Sequence, residues 1–398
     1  MRVAFHFIRS ASWTGGYNYL LNLFRSVRKY QADQITPVLF CGEDALENDL
    51  QPFREIAGLE IVHSSVFDVN NARPRLIGAL LFGRDSDALD LFRHYRIDVI
   101  FENATFFGWR FPIPVIAWMP DFQHRLLREQ FGFAAYWRRE AGFRAQVASG
   151  RTIMLSSEDA RKHCEYFYPG AVGHTEVVRF AAPVPDELIE KDPRMVVREY
   201  KLPSRFYYLP NQFWKHKNHI VVIEALGLLK QQGREVVVAV TGNPHDPRHP
   251  DYFDQLNTHV QSLGLQENFR ILGLVPRRHV ISLMRICIAL VNPSHFEGWS
   301  STVEEARTLG VPMLLSDIGV HREQMGEGAV YFDPDDAVAL AEKLREACVE
   351  TKTSAAARLR VQGDVNEGRF ARDFVAVANR AMARGTDAGR SVDSPGKA

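Results

Sequence analysis

The sequence predicts an α/β chain built from two doubly wound units in succession, and three features carry that prediction. Short apolar runs alternate with stretches of helical period along nearly the whole chain, the pattern of parallel strands with crossover helices. A segment rich in proline and charge at 181–192 (AAPVPDELIEKD) interrupts the alternation, after which it resumes. A length of 398 residues suits two domains of about 150–200 residues, each able to bury its own core. The expected organisation is a first domain at 1–190 and a second at 191–365. A last helical segment at 366–385 and a polar, disordered tail at 386–398 complete it.

Composition narrows the class. Apolar residues make up 46% and charged residues 24%, as in an ordinary soluble globular protein. Lysine plus arginine balance aspartate plus glutamate at 48 each, which argues against a nucleic-acid partner. Cys41, Cys164, Cys287 and Cys348 form no C-x-x-C pair, so a zinc knuckle or redox dithiol is not suggested and a reducing cytoplasm is expected. The apolar start MRVAFHFIRS is too short for a signal peptide or a spanning helix, and no later run reaches spanning length.

In the first domain, strands are expected at 3–8, 36–41, 59–63, 97–102, 114–118, 152–156 and 176–180. A helix at 16–29 sets Tyr19, Leu20, Leu23, Phe24 and Val27 on one face. Gly15 and Gly16 join the first strand to that helix. They fit either a tight turn with positive φ or a close backbone approach to an anion. Asp85-Ser86-Asp87 has the form of a metal-binding D-x-D, but it precedes a helical pattern at 88–95, so an N-cap accounts for it better. WMPDFQH places Asp121 and His124 at the C-terminal edge of a strand, where open α/β sheets bind ligands; a capping aspartate and a surface histidine explain them equally well. The helix at 131–147 mixes aromatics with arginines. One-sided packing is the plain reading, and peripheral contact with a membrane or lipid-linked acceptor is the alternative.

The second domain offers a strand at 206–209, then PNQFWKHKNH, a helix at 220–231, a strand at 235–241, a helix at 252–263, a strand at 269–272 and a helix at 278–285. Lys215 and Lys217 stand at the mouth of a helix, where a lysine meets a diphosphate as a point charge. His216, His219 and the HDPRHPD stretch have no recognisable metal-ligand spacing. The densest stretch is ICIALVNPSHFEGWSSTVEEARTLGVPMLLS: a buried strand at 286–292, a loop, a helix closed by Gly310 and Pro312, and a strand at 313–316. Glu297 lies in the loop, and Glu305 lies inside the helix. Between them the helix N-terminus, Gly298 and the small Ser300 and Ser301 form an anion site. On residue type alone, two donor-binding carboxylates and a solvated loop acid beside a capping box remain open. A final helix at 337–348 precedes the last one at 369–383, where Phe370, Phe374 and Val377 share a face.

FEGWSSTVEEARTLGVPMLLSDIGVHRE, with its E-x7-E pair, together with PNQFWKHKNH and YFDP at 331–334, resembles the retaining glycosyltransferases of family 4 (group 1). WTGG, PDFQH and SSEDA look like a bacterial polysaccharide-assembly branch of that family. The resemblance spans most of 1–383 and implies the GT-B fold, two facing Rossmann-like domains with a cleft between them. It implies that Glu297 holds donor-sugar hydroxyls, that the backbone of Gly298, Trp299 and Ser300 contacts sugar and phosphate, and that Glu305 binds ribose. Lys217 would match the diphosphate lysine, Gly15 and Gly16 would cover the phosphates, and the loop at Val275 would hold the base. The last helix would cross back to the first domain. A nucleotide diphosphate sugar is the implied donor and a glycan or lipid-linked glycan the implied acceptor; no metal and no covalent nucleophile are implied. Gln212 stands where the family has an arginine, and Pro120-Asp121 with His124 stands where it has a His-Asp pair. Two rival expectations keep the architecture but change the activity: a sugar-nucleotide epimerase, or a non-catalytic nucleotide-sugar scaffold.

Overall fold

The computed structural model describes residues 1–103, 105–189, 192–346 and 355–392, and of 355–364 and 386–392 the backbone only. The chain divides into two compact units. One is formed by Met1–Leu126, Phe133–Ala181 and the segment from Asn366 onward, the other by Leu127–Gly132 and Ala182–Val365.

The first unit runs β1 (Arg2–His6), α1 (Thr14–Tyr30), β2 (Thr36–Cys41), α2 (Glu47–Arg54), β3 (Glu60–His63), α3 (Ala72–Phe82), α4 (Ser86–His94), β4 (Val99–Asn103), β5 (Val115–Trp118), α5 (Gln123–Leu126), α6 (Phe133–Ala148), β6 (Thr152–Leu155), α7 (Glu158–Phe167) and β7 (Thr175–Val177). Its strands form one parallel sheet in the order β3-β2-β1-β4-β5-β6-β7. The order reverses between β1 and β4, where Asn103 Nδ2 donates to the His6 carbonyl at 3.0 Å.

The second unit runs α8 (Arg194–Glu199), β8 (Tyr207–Leu209), α9 (His219–Gln231), β9 (Val238–Thr241), α10 (Tyr252–Ser262), β10 (Phe269–Gly273), α11 (Arg277–Ile286), β11 (Leu290–Asn292), α12 (Ser301–Leu309), β12 (Met313–Ser316), α13 (Gly319–Met325), β13 (Val330–Phe332) and α14 (Ala337–Glu346). Its parallel sheet has the order β10-β9-β8-β11-β12-β13, with the reversal between β8 and β11. Successive strand residues go to opposite faces: Tyr207, Leu209, Val238 and Val240 pack with α9, while Tyr208, Ala239, Leu290 and Leu315 pack with α11 and α12. Burial on both faces explains the nearly continuous apolar strands.

A last helix, α15 (Ala355–Val392), places Phe370, Phe374 and Val377 in the core of the first unit. The Phe374 ring lies 5.8 Å from Phe5 and 5.9 Å from Phe101. α15 is longer than the expected 369–383, and its backbone continues through 386–392, which had been assigned to the tail. Between Pro334 and Pro395 no proline interrupts the chain. Residues 347–348 of the expected α14 and residues 393–398 of the tail lie outside the described residues.

Two local readings are corrected. Of the run at 286–292 only Leu290–Asn292 is strand; Ile286 ends α11, and the Cys287 N–H still bonds back to the Leu283 carbonyl at 3.0 Å. Gly15 and Gly16 need no positive φ, since both lie in the first turn of α1. Gly16 answers a packing demand, because a Cβ there would stand 2.4 Å from the Trp13 ring. Asp85 caps α4 as expected, accepting from the Ala88 N–H at 3.1 Å, and it also pairs with Arg75 at 2.7 Å.

Candidate active site

The strongest constellation in the second unit lies at the strand reversal, where an α/β sheet leaves a crevice beyond its strand ends. β8 is followed by Asn211 and β11 ends in Asn292, and the two amides meet: Asn211 Nδ2 donates to Asn292 Oδ1 at 3.0 Å. The Asn292 amide then reaches Ser300 Oγ at 3.1 Å and Glu297 Oε1 at 3.4 Å. The Ser294 hydroxyl lies 2.7 Å from Asn292 Oδ1 and 2.8 Å from Glu297 Oε1, and its one proton serves either acceptor.

Lys217 closes this network. It ends a short 3-10 turn (Lys215–Lys217) and donates to Glu297 Oε1 at 2.7 Å. The two side chains are 14% and 8% exposed, so the pair is largely withdrawn from water. Asn218 sets the lysine's place. It takes the left-handed conformation with φ 55°, which asparagine tolerates, and its amide donates to the carbonyls of Pro293 at 3.1 Å and Pro334 at 2.8 Å. PNQFWKHKNH, the glutamate loop and YFDP are thus tied by one side chain. Burial raises the Glu297 pKa, but the charge of Lys217 and hydrogen bonds from Lys217 and Ser294 outweigh it, so the carboxyl titrates below its ordinary range.

α12 begins beside this pair. Ser300 is its N-cap residue, yet its side chain makes no cap hydrogen bond to the first N–H groups of the helix. Of the two readings left open by the sequence, a capping box from Ser300 is not formed, since Ser300 Oγ instead receives the Asn292 amide. Gln324 holds the entry to the helix from behind, accepting from the Ser300 N–H and donating to the Ser300 carbonyl, both at 3.1 Å. Its amide also donates to Glu304 Oε1 at 2.9 Å, and buried Glu304 pairs with Arg307. The neighbouring Glu305 points elsewhere, to Arg277 at the start of α11, at 2.7 Å. Val275 lies two residues before Arg277, in the turn after β10. Trp299 is buried, whereas Ser301 is exposed.

Gln212, at the position where the resemblance calls for an arginine, accepts from the Asn243 N–H at 2.7 Å and braces the loop after β9. Two cations that face the glutamates of this site are Lys217 and Arg277. His321 is fully buried; its Nδ1 lies 3.0 Å from the Ser316 carbonyl, an acceptor only, which fixes the proton on Nδ1. Nε2 is then an acceptor, and it has no hydrogen-bond partner among the described residues.

Asn211, Asn218, Asn292, Arg277, His321 and Gln324 were missed by reading the sequence. The available signal was the pair of asparagines ending apolar strands, LPN and LVN. His216 and His219 are buried. His219 stacks on Phe213 with ring centroids 4.6 Å apart. Among the described residues no group of three or more His, Cys, Asp or Glu side chains is placed to hold a metal ion.

His124 is a correction. Its side chain is completely enclosed in the first unit, 3.3 Å from both Glu140 Oε2 and the Tyr168 hydroxyl, and it presents no surface to a substrate. Glu140 also receives Arg125 and Arg144, each at 2.6 Å. Asp121 stays at the strand edge, three-quarters covered, accepting from the Gln123 N–H at 2.9 Å and Arg139 at 2.7 Å. That geometry is the capping one. Gly15 and Gly16 lie past the C-terminal end of β1 in the same unit.

Burial holds the pKa of His124 at about 4 and that of His219 at about 3, so both are neutral in the fold. Unfolded, each takes up a proton near 6.5. Stability should therefore fall as pH drops from about 6.5 toward 4, by up to roughly 3 kcal/mol for each fully buried ring. Thermal unfolding followed across that range checks this, and a flat profile would contradict it.

Residues 199–360 match the family model "Glycosyl transferases group 1", which covers most of the second unit. A segment of 136 residues is 27% identical to the O-antigen chain mannosyltransferase RfbU of Salmonella typhimurium, spanning 34% of this chain and 36% of that relative. The fold is shared with a glycosyltransferase from Rickettsia africae (TM-score 0.66, 14% identity, 99% of both chains). It is shared too with Anabaena HepE in complex with UDP (TM-score 0.63, 16% identity, 98% of this chain and 100% of that one). Residues 199–360 are thus similar to group 1 glycosyl transferases, and the α/β fold is the GT-B fold of these structural neighbours.

Proposed function

We propose that the chain transfers a glycosyl group from a nucleotide diphosphate sugar to an acceptor hydroxyl, with retained anomeric configuration, in the assembly of a polysaccharide or glycolipid. The observation that carries this reading is the Lys217–Glu297 pair beside the uncapped N-terminus of α12. A diphosphate arriving there replaces carboxylate contacts to Lys217 with phosphate contacts and adds the free helix N–H groups. Glu297, released from the lysine, accepts from donor-sugar hydroxyls, as does His321 Nε2. Glu305 accepts from the ribose diol, and Arg277 supplies the cationic charge that Gln212 does not. The solved structure of HepE with UDP and glucose supports a donor of this chemistry. RfbU, an O-antigen chain mannosyltransferase, supports a glycan or lipid-linked glycan acceptor. The resemblance of the N-terminal motifs points the same way, to a cytoplasmic enzyme working at the inner membrane face without a metal.

In the step itself the acceptor oxygen bonds to the anomeric carbon as the bond to the diphosphate breaks, and the acceptor proton passes to the departing phosphate oxygen. Lys217 and the α12 N–H groups stabilise the charge that develops there. A thermal-shift series over UDP-, GDP-, ADP- and dTDP-sugars is the direct test. One base series should raise the midpoint, by the equivalent of about 2.7 kcal/mol at a hundredfold excess over Kd. No shift with any donor would sink the proposal. NMR of the transferred sugar then reads its anomeric configuration, and inversion would remove the retaining assignment. A donor sugar epimerised without acceptor would favour the epimerase instead.

A further inference from the structure

Away from the donor site, α3 has the composition of a buried helix but lies on the surface. Only Ala79 of its eleven residues is buried. Leu76, Ile77, Leu80, Leu81 and Phe82 are 43%, 49%, 43%, 71% and 74% exposed, and the run from Leu76 to Phe82 carries no side-chain hydrogen-bonding group. A contiguous apolar surface of this kind marks an interaction site. What adjoins it indicates the partner. α3 ends at Gly83 in the left-handed conformation, and the loop carrying Gly108 closes on it so tightly that a Cβ at Gly108 would lie 2.3 Å from the Gly83 carbonyl oxygen. That contact brings Trp109, 47% exposed, and Arg110 to the end of α3, where the Arg110 N–H donates to the Gly83 carbonyl at 2.7 Å. Phe82, Arg84, Ser86 and Arg110 line a cleft of about 460 Å³. Among the described residues neither guanidinium meets a carboxylate, and exposed Arg73 at the other end of α3 meets none either. Asp85, next to Arg84, is buried and committed to Arg75, and Asp87, exposed in the first turn of α4, pairs with neither arginine among the described residues.

We infer that α3 and this arginine cleft dock the first unit on an anionic lipid surface, with α3 and Trp109 at the level of the headgroups and acyl chains and a lipid phosphate between Arg84 and Arg110. Apolar side chains without polar neighbours suit the acyl boundary, an exposed tryptophan suits the interface, and unpaired arginines suit phosphate. A second copy of the chain fits less well, because pairing α3 with itself would bring like-charged arginines together. α6, the other helix with exposed aromatics, is a poorer candidate. Of its arginines Arg139 and Arg144 are committed to Asp121 and Glu140, which leaves Arg138 alone beside its exposed aromatics, against Arg73, Arg84 and Arg110 around α3. The inference stands on residues apart from the donor site and holds whether or not the proposed transfer does.

The test is flotation of the full chain with vesicles of phosphatidylcholine alone or mixed with phosphatidylglycerol. Binding should require the anionic lipid and weaken with salt. Leu81→Ser with Phe82→Ser should reduce binding at least about tenfold. Arg84→Ala and Arg110→Ala should each reduce it about fivefold. All four positions are exposed, so thermal midpoints should not move. Inorganic phosphate at millimolar concentration should leave vesicle binding in place; if it releases the protein, the cleft is a site for free phosphate and the lipid assignment fails. No binding to anionic vesicles, or loss of a dimer in light scattering on Leu81→Ser with Phe82→Ser, would overturn the proposal.

Discussion

Lys217→Ala is expected to abolish transfer and to weaken the second unit at the same time. Lys217 is the cation facing Glu297 in a pair that is 14% and 8% exposed, and removing one partner of such a buried pair typically costs 3–5 kcal/mol because the other charge is stranded. The same lysine is the proposed partner of the leaving diphosphate, so turnover should fall on the order of 10²- to 10³-fold beyond any loss of folded protein. The two effects separate in a double mutant. Lys217→Met with Glu297→Gln removes both charges and should recover much of the stability while recovering none of the activity.

The pH dependence adds a second check. In the wild type Glu297 titrates below its ordinary range, so its contribution is present above the unfolded pKa and is lost as pH falls through the folded one. In Lys217→Ala the two lowering effects of the lysine are gone, so burial is opposed only by Ser294 and His321 and the carboxyl titrates higher than in the wild type. The gap in thermal midpoint between the two proteins should therefore narrow on acidification. A gap that is constant with pH would mean that the ion pair contributes little and that the lysine acts through packing.

How much of this was readable in advance follows the range of the interactions. Strands buried on both faces announce themselves by local composition, and the α12 motif carries its loop, helix and Gly310 stop within about twenty residues, so both were legible. Lys217 and Glu297 are eighty positions apart, and nothing local says that they touch. His124 failed for the same reason. At a strand edge beside Asp121 it reads as a site residue, and only Glu140 and Tyr168, brought in by α6 and the turn after α7, show it to be core. α3 escaped because a helix apolar all round has no helical period to detect. β13, Val330–Phe332, was not expected either.

The adjacent glutamates of α12 should fail in opposite ways when each is replaced by alanine. Glu304 is 1% exposed, pairs with Arg307 and receives Gln324, which in turn holds both backbone groups of Ser300. Glu304→Ala strips buried Arg307 of its facing carboxylate and the Gln324 amide of one of its two acceptors, so a loss of about 3–5 kcal/mol in stability is expected. Donor affinity should drop only as far as the α12 entrance loosens. Glu305 faces Arg277, which is 39% exposed, so that pair stabilises the fold by no more than about 1 kcal/mol. If it binds ribose, Glu305→Ala costs roughly 1.5–3 kcal/mol of donor affinity, about ten- to a hundredfold, with the thermal midpoint nearly unchanged. Titration calorimetry with the nucleotide, beside thermal unfolding, reads both quantities for both variants. Unchanged nucleotide affinity in a folded Glu305→Ala protein would strip that residue of its ribose role and leave Arg277 as its only partner. Equal signatures for the two variants would mean that the helix entrance, rather than either carboxylate, sets donor binding.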